Sequence, residues 1–255
     1  MGQGMMYQTF AYYYDLLMDK SLYQQWLDFT EQRVGTLAGQ QILDLACGTG
    51  DLASLYAQRQ NGNGQVYGVD LSEEMLSLAS QRLANDQVDV TLLQGDFRQL
   101  SQLDLPPLDL VTCYDDSLCY LTDLSDLTTT FKQVAQVLAP QGTFLFDLHS
   151  LYQVNEVFPG YMYNYREEDW AFMWASFAGE ASNSVTHDLT FFVWDDALGG
   201  YDALNETHHE RTYPLATVEA ALQTAGFTQI QTFGGFAGEA ITATTPRWFV
   251  QAQRG

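Results

Sequence analysis

The stretch with the clearest chemical content is Asp44-Leu45-Ala46-Cys47-Gly48-Thr49-Gly50-Asp51-Leu52-Ala53. Small residues at 46, 48 and 50 let the backbone approach a ligand closely. A helix opening near Asp51 would aim free N–H groups at that ligand. Gly48, Gly50 and Ala53 have the spacing of a dinucleotide loop. Charge argues against a pyrophosphate, because Asp44 and Asp51 flank the loop and no Lys or Arg lies within it. A ligand carrying an ammonium and a sulfonium would instead be attracted. Further along, Asp70 closes a second apolar run, the position from which a carboxylate can accept both hydroxyls of a ribose.

A second group of residues could handle protons: Asp116, His149, His208, Arg211 and Tyr213. His149 follows an apolar run directly. It should sit at a sheet edge, as a base or orienter or else as a strand-end hydrogen bond. Glu206, His208 and Glu210 alternate and so share one face of a strand. They form either a proton-handling cluster or a solvated face paired with Arg211. His209 points the other way, and His187 carries no reading of its own. The three cysteines Cys47, Cys113 and Cys119 form no close pair, which favours neither a disulfide framework nor a metal site.

These groups need a scaffold. Short apolar runs at 42–46, 66–70, 90–94, 108–114 and 143–148 have the length and composition of strands. Helical patterns separate most of them. Met75, Leu76, Ala79 and Leu83 share a face after an N-cap at Ser72, and Leu127, Phe131, Val134 and Leu138 form another face that stops at Pro140 and Gly142. Such alternation predicts an α/β fold, a doubly wound and mostly parallel sheet buried on both faces. Two runs at 230–233 and 248–252 complete seven strands after a helix over 215–227 with Gly226 at its end. Residues 149–213 lack helical period and predict an antiparallel β cap inserted before the last helix. The main domain would then comprise 1–148 and 214–255. Residues 1–40 form its helical cover, rich in aromatics at Tyr7, Phe10, Tyr12, Tyr13, Tyr14, Tyr23, Trp26 and Phe29.

Ten Lys and Arg stand against 32 Asp and Glu in 255 residues, a formal charge of −22. Nucleic acid and anionic membrane need clustered cations, so neither is an expected partner. The N-terminus lacks the basic and apolar regions of a signal peptide, and the chain reads as soluble and cytoplasmic.

The motifs DLACGTG (44–50), VDLSEEML (69–76), GDF (95–97) and LAPQGTFLFDL (138–148) resemble those of class I S-adenosylmethionine-dependent methyltransferases, with a Rossmann-like fold. The resemblance is to the YqeM-type bacterial enzymes, and it extends to AYYYDLLM (11–18), YQQW (23–26), DLVTCYDDSLCYL (109–121), HDLTFFV (187–193) and ETHHERTY (206–213). It implies S-adenosyl-L-methionine as cofactor. Ala46, Cys47 and Gly48, within the loop closed by Gly50, would line its methionine part, with Asp44 facing the ammonium. Asp70 would grip the ribose, and Leu71 and Met75 would pack on the adenine. Asp96 would accept from the adenine amino group beside Phe97. Tyr114 and Asp115 would lie beside the methyl, with Tyr14 and Trp26 closing over the cofactor. The implied reaction is in-line methyl transfer to a small-molecule acceptor, with Asp116, His149 and His208 as candidate catalytic groups. A binding module without turnover, another sulfonium-dependent transferase and a nicotinamide dehydrogenase are the alternatives. Two departures from the relatives, Cys119 in place of Asn and no Arg in 196–206, bear on the acceptor.

Overall fold

The computed structural model describes residues 11–255, so Tyr7 and Phe10 lie outside the described residues. In chain order the strands are β1 (Gln41–Leu45), β2 (Gln65–Asp70), β3 (Val90–Gln94), β4 (Leu108–Cys113) and β5 (Leu138–His149), then β6 (Met162–Arg166), β7 (Trp170–Ala178), β8 (Ser184–Asp195) and β9 (Gly200–Arg211), and finally β10 (Phe227–Phe233) and β11 (Arg247–Arg254). Seven of them form one sheet in the order β10-β11-β5-β4-β1-β2-β3, and β6 to β9 form a separate four-stranded sheet. In the large sheet only β11 runs against its neighbours, antiparallel to both β5 and β10. This is the expected Rossmann-like class I methyltransferase sheet, with its helical cover and antiparallel cap.

The helices are α1 (Ser21–Val34), α2 (Asp51–Gln58), α3 (Glu73–Asp86), α4 (Leu124–Val137) and α5 (Leu215–Thr224). The apolar runs alternate between two cores. Ile42, Val66, Leu110, Leu145 and Phe249 face Trp26, Phe29 and Tyr56 of α1 and α2. Leu43, Val69, Val111, Phe144 and Val250 face Phe131 and Val134 of α4 and Leu222 of α5. Both faces of the sheet are thus covered, which is why its strands read as continuous apolar runs rather than alternating ones.

Helix α3 starts where the sequence says. Ser72 is extended, its Oγ accepts from the Met75 N–H at 3.1 Å, and Glu73 and Glu74 occupy the first turn. Ser72→Ala should therefore cost about 1 kcal/mol of stability. Denaturant midpoints at constant m-value check this, and an unchanged midpoint would remove the cap from the account.

Two boundaries differ from expectation. Strand β5 begins at Leu138, directly after α4, because Leu138 already pairs with Leu108; the register then shifts and resumes with Thr143 opposite Leu110. The interruption is turned by Gln141 at φ 66°. In the inserted stretch, Gln153–Val157 form a π-helical turn rather than strand. The cap sheet packs Phe172, Leu189, Phe191 and Leu204 against Tyr13, Tyr14 and Leu17 of the segment preceding α1, so that segment joins the two sheets. Among the described residues no helix is long and apolar enough to cross a membrane.

Candidate active site

A cleft of about 580 Å³ opens at the carboxyl edge of β1, β2 and β4. Its walls include Tyr14, Trp26, Asp44, Ala46, Cys47 and Gly48. Asp70, Leu71, Met75, Phe97, Tyr114 and Asp115 also line it. Asp70 holds the loop in place: its Oδ2 accepts from the Gly48 N–H at 2.8 Å and its Oδ1 from the Ser72 N–H at 2.9 Å. Ala46 takes a left-handed φ of 59°, a strained choice for a residue with a Cβ. Leu71 is 67% exposed, so it is not core packing but an apolar wall open to a ligand.

Asp44 lies beneath the loop, 3% exposed, with its Oδ1 3.4 Å from the Thr112 hydroxyl. Burial pushes its carboxyl up to about 7, helped by the charge of Asp70 against the pull of the Thr112 hydrogen bond. Trp26 is buried, donates its indole N–H to Asp147 Oδ2 at 2.8 Å and stacks at 18° on Tyr114. It is a core residue whose edge reaches the cleft.

Three features bear on the expectations for the loop and its neighbours. Asp96 is absent from the cleft walls: its carboxylate is forked onto Arg98, with Nη2 at 2.6 Å, and caps the short helical turn over Phe97–Gln102. Gly50 is likewise outside the walls. At φ +79° it lets α2 meet α3, where an added Cβ would come 3.0 Å from the Ala79 Cβ. Finally, the loop is not bare of cations. Arg82 of α3 donates to the Thr49 carbonyl at 2.8 Å and pairs with Asp51 at 2.9 Å and Asp15 at 2.8 Å. Lys20 pairs with Asp51 and Asp15 as well. Asp51 is therefore neutralised, and the attraction for a cation rests on Asp44 and Asp70. The same ion pairs latch the segment before α1 onto the glycine loop.

A second cavity of about 370 Å³ lies beside the first, between the large sheet and the cap. Tyr14, Met18, Asp115, Asp116, Tyr120 and His208 line both. Its floor brings Asp116 and His149 together as expected, with His149 Nε2 at 3.0 Å from Asp116 Oδ2. Glu210 Oε2 is 3.4 Å from the same nitrogen. Arg247 reaches in from β11, where it pairs across the strand with His149. Its Nη2 is 2.6 Å from Asp116 Oδ1 and its Nη1 3.0 Å from Asp147 Oδ2. Burial raises the Asp116 carboxyl, but the neighbouring His149 and Arg247 outweigh it and hold the group well below the usual carboxylate range. Asp115 goes the other way, to about 7, through burial and the charge of Asp116. Asp115 and Asp116 are consecutive left-handed residues at φ 55° and 48°, strain that turns both carboxylates off the end of β4.

Glu206, His208 and Glu210 do share a face, and it points inward rather than to solvent. His208 Nε2 meets Glu206 Oε2 at 2.9 Å and its Nδ1 meets the Tyr120 hydroxyl at 2.8 Å. Arg211 bonds the carbonyls of Ser182 and Thr122 instead of these acids, and the Tyr213 hydroxyl also donates to Thr122. Both are structural. Cys119 is fully buried in the core, away from both cavities, while 196–206 form the β8–β9 turn and the first half of β9, which ends on Glu206 at the cleft wall. Sequence reasoning missed His187, Arg247 and Asp147. His187 Nδ1 accepts from the Trp174 indole at 3.1 Å, which leaves its proton on Nε2, 3.8 Å from Glu210 Oε1. Burial and the nearby His149 lower His187 to about 4.

Residues 42–142 match the model of a methyltransferase domain. The chain is 40% identical over 250 residues, 98% of both chains, to the Bacillus subtilis (strain 168) protein YqeM, which bears a methyltransferase name. The chain belongs to the YqeM family of class I S-adenosylmethionine-dependent methyltransferases. A Geobacillus sp. (strain WCH70) protein, also named as a methyltransferase, is 34% identical over 98% of this chain and 100% of its own. Among solved structures, an S-adenosylmethionine-dependent methyltransferase from Clostridium acetobutylicum ATCC 824 superposes with a TM-score of 0.83 at 28% identity, covering 98% of this chain and 99% of that one.

Proposed function

We propose that this methyltransferase binds S-adenosylmethionine in the larger cleft and methylates a small molecule seated in the smaller cavity. The observation that carries this reading is the shared wall: the two spaces meet at Tyr14, Asp115, Asp116, Tyr120 and His208, where a methyl could pass from one ligand to the other. Asp70 would accept from the ribose, Leu71, Met75 and Phe97 would cover the purine, and Ala46, Cys47 and Gly48 would border the methionine chain. Asp44 would face the ammonium, and Tyr14, Trp26, Tyr114 and Asp115 would surround the reacting centre. The cofactor supplies a methyl already activated by its sulfonium, so alignment and water exclusion are the protein's main tasks. The formal charge of −22 supports a small-molecule acceptor over a nucleic acid and suits a protein free in the cytoplasm.

Isothermal calorimetry with S-adenosylmethionine and S-adenosylhomocysteine tests the reading. Micromolar binding of both is expected, and a folded protein that binds neither overturns it. Asp44 adds a pH signature. An ammonium needs Asp44 ionised, and its carboxyl titrates at about 7. Affinity should therefore fall about fivefold from pH 7 to pH 6, as the ionised fraction drops from about one half to about one in eleven, and about tenfold per unit below that. Binding below pH 7 should release a proton. Asp44→Asn should flatten that slope, and a slope that survives the substitution would assign it to another group such as Asp115.

A further inference from the structure

We infer that the acceptor is an amine with an apolar or aromatic body, and that Glu210 takes the proton its nitrogen gives up. The inference rests on the proposed cofactor and acceptor cavities. The upper walls of the smaller cavity are apolar and aromatic, formed by Leu17, Leu22, Phe158, Tyr161, Phe172 and Trp174. The floor is acidic. Asp115, Asp116, Asp147 and Glu210 face a single guanidinium, Arg247, which is committed to Asp116 and Asp147. Asp115 and Glu210 are the acids that this guanidinium does not pair, their carboxyls raised by burial and by Asp116, and an aromatic enclosure over acids that a bound cation would ionise favours a basic nitrogen.

Glu210 is the floor acid with an oxygen that makes no hydrogen bond, its histidine contacts being the long ones to His149 and His187. It is 4% exposed, it lines the cavity, and its Oε2 has no hydrogen bond. His149 Nε2 has one proton to give, and Asp116 at 3.0 Å lies nearer than Glu210 at 3.4 Å. His187 presents Nε2–H from 3.8 Å, beyond hydrogen-bond reach. A buried, unpaired carboxyl oxygen aimed into a cavity is costly unless a ligand supplies the donor. An amine N–H does so. A carboxylate ligand would meet like charge instead.

Asp116, His149 and Glu210 also lie close enough together to hold a metal ion. The Arg247 guanidinium, 2.6 Å from Asp116, repels one, and His149 would have to surrender the proton it shares with Asp116. Burial, with the charge of Asp116, raises the Glu210 carboxyl well above its ordinary range, so that its ionised form, favoured by a bound cation, is a strong proton acceptor. In the transfer, the bound ammonium first gives one proton to the ionised Glu210 Oε2, and the freed amine lone pair then forms the new N–C bond as the C–S bond breaks, leaving a methylated ammonium. The C–S electron pair stays on sulfur, yielding S-adenosylhomocysteine, and the proton held on Glu210 Oε2 passes to solvent.

The test uses the full chain loaded with S-adenosylhomocysteine and three probes of similar shape: phenethylamine, 4-ethylphenol and 3-phenylpropionate. Calorimetry should rank the amine at least tenfold above both others. With labelled S-adenosylmethionine, methyl transfer to the amine should fall about 100-fold in Glu210→Gln, while S-adenosylhomocysteine binding stays unchanged. A preference for the phenol or the carboxylate, no amine binding, or full activity in Glu210→Gln overturns the inference. Saturable zinc binding that excludes the amine overturns it too. Should Glu210→Gln not fold, the probe ranking on the unmodified protein decides. Failure to bind S-adenosylhomocysteine would instead overturn the cofactor reading, and the same ranking on the free protein would still judge the acidic cavity.

Discussion

Asp147→Ala is expected to destabilise the protein by about 3–5 kcal/mol, the range for breaking a buried charge network by removing one partner. Asp147 is fully buried, and two donors and one cation depend on it: the Trp26 indole at 2.8 Å and the Asp116 N–H at 2.7 Å donate to it, and Arg247 Nη1 is ion-paired with it at 3.0 Å. Alanine would leave the first two without an acceptor and take from Arg247 one of its two anchors. The loss reaches beyond stability, because Asp147 joins α1, the β4 turn and β11 behind the acceptor floor. Urea unfolding at an unchanged m-value gives the number. A loss below about 1 kcal/mol would mean that these contacts are exchanged for water at little cost.

Asp70→Ala should weaken S-adenosylhomocysteine binding by about 1–3 kcal/mol, roughly 5- to 150-fold, through loss of charge-assisted hydrogen bonds. Two effects add. The ribose loses its acceptor, and the Gly48 and Ser72 N–H groups lose the carboxylate that sets the loop against α3. Asp70→Asn separates them, since its amide oxygen can still hold one backbone N–H. Its affinity should lie between alanine and the original residue. Equal affinity of all three forms would show that the cofactor is gripped elsewhere.

The sheet was legible because its strands are buried on both faces, and such burial writes long apolar runs into the sequence. The Ser72 cap and the Asp44 to Asp70 interval were legible for a similar reason, since local backbone geometry imposes them. The latch of Asp15, Lys20, Asp51 and Arg82 was not. Its partners are separated by up to 67 residues, and only the packing of α3 beside the loop brings them together. The face shared by Glu206, His208 and Glu210 could be read from strand alternation, but alternation does not say which face is buried. That answer comes from the cap sheet, whose inner side also carries His187 opposite His208. Arg247 was invisible as a site residue because it enters through the register of β11 with β5. The pairing of Asp96 with Arg98, two residues on, was not read either, although it is local.

The one reversed strand has a consequence for how this enzyme could change its substrate. In parallel strands the carboxyl ends feed the loops at the cofactor edge, but β11 arrives at that edge with its amino end, carrying Arg247. The wall of the larger cleft, the proposed cofactor site, is thus encoded largely in residues 44–97, while the floor of the smaller cavity, the proposed acceptor site, takes in 149, 187, 210 and 247. Asp115 and Asp116 are the hinge between the two vocabularies. Mutations in the later half of the chain can explore new acceptors without rewriting the cofactor loop, so recombination after the β4 turn is the natural crossover point for diversification or for library design.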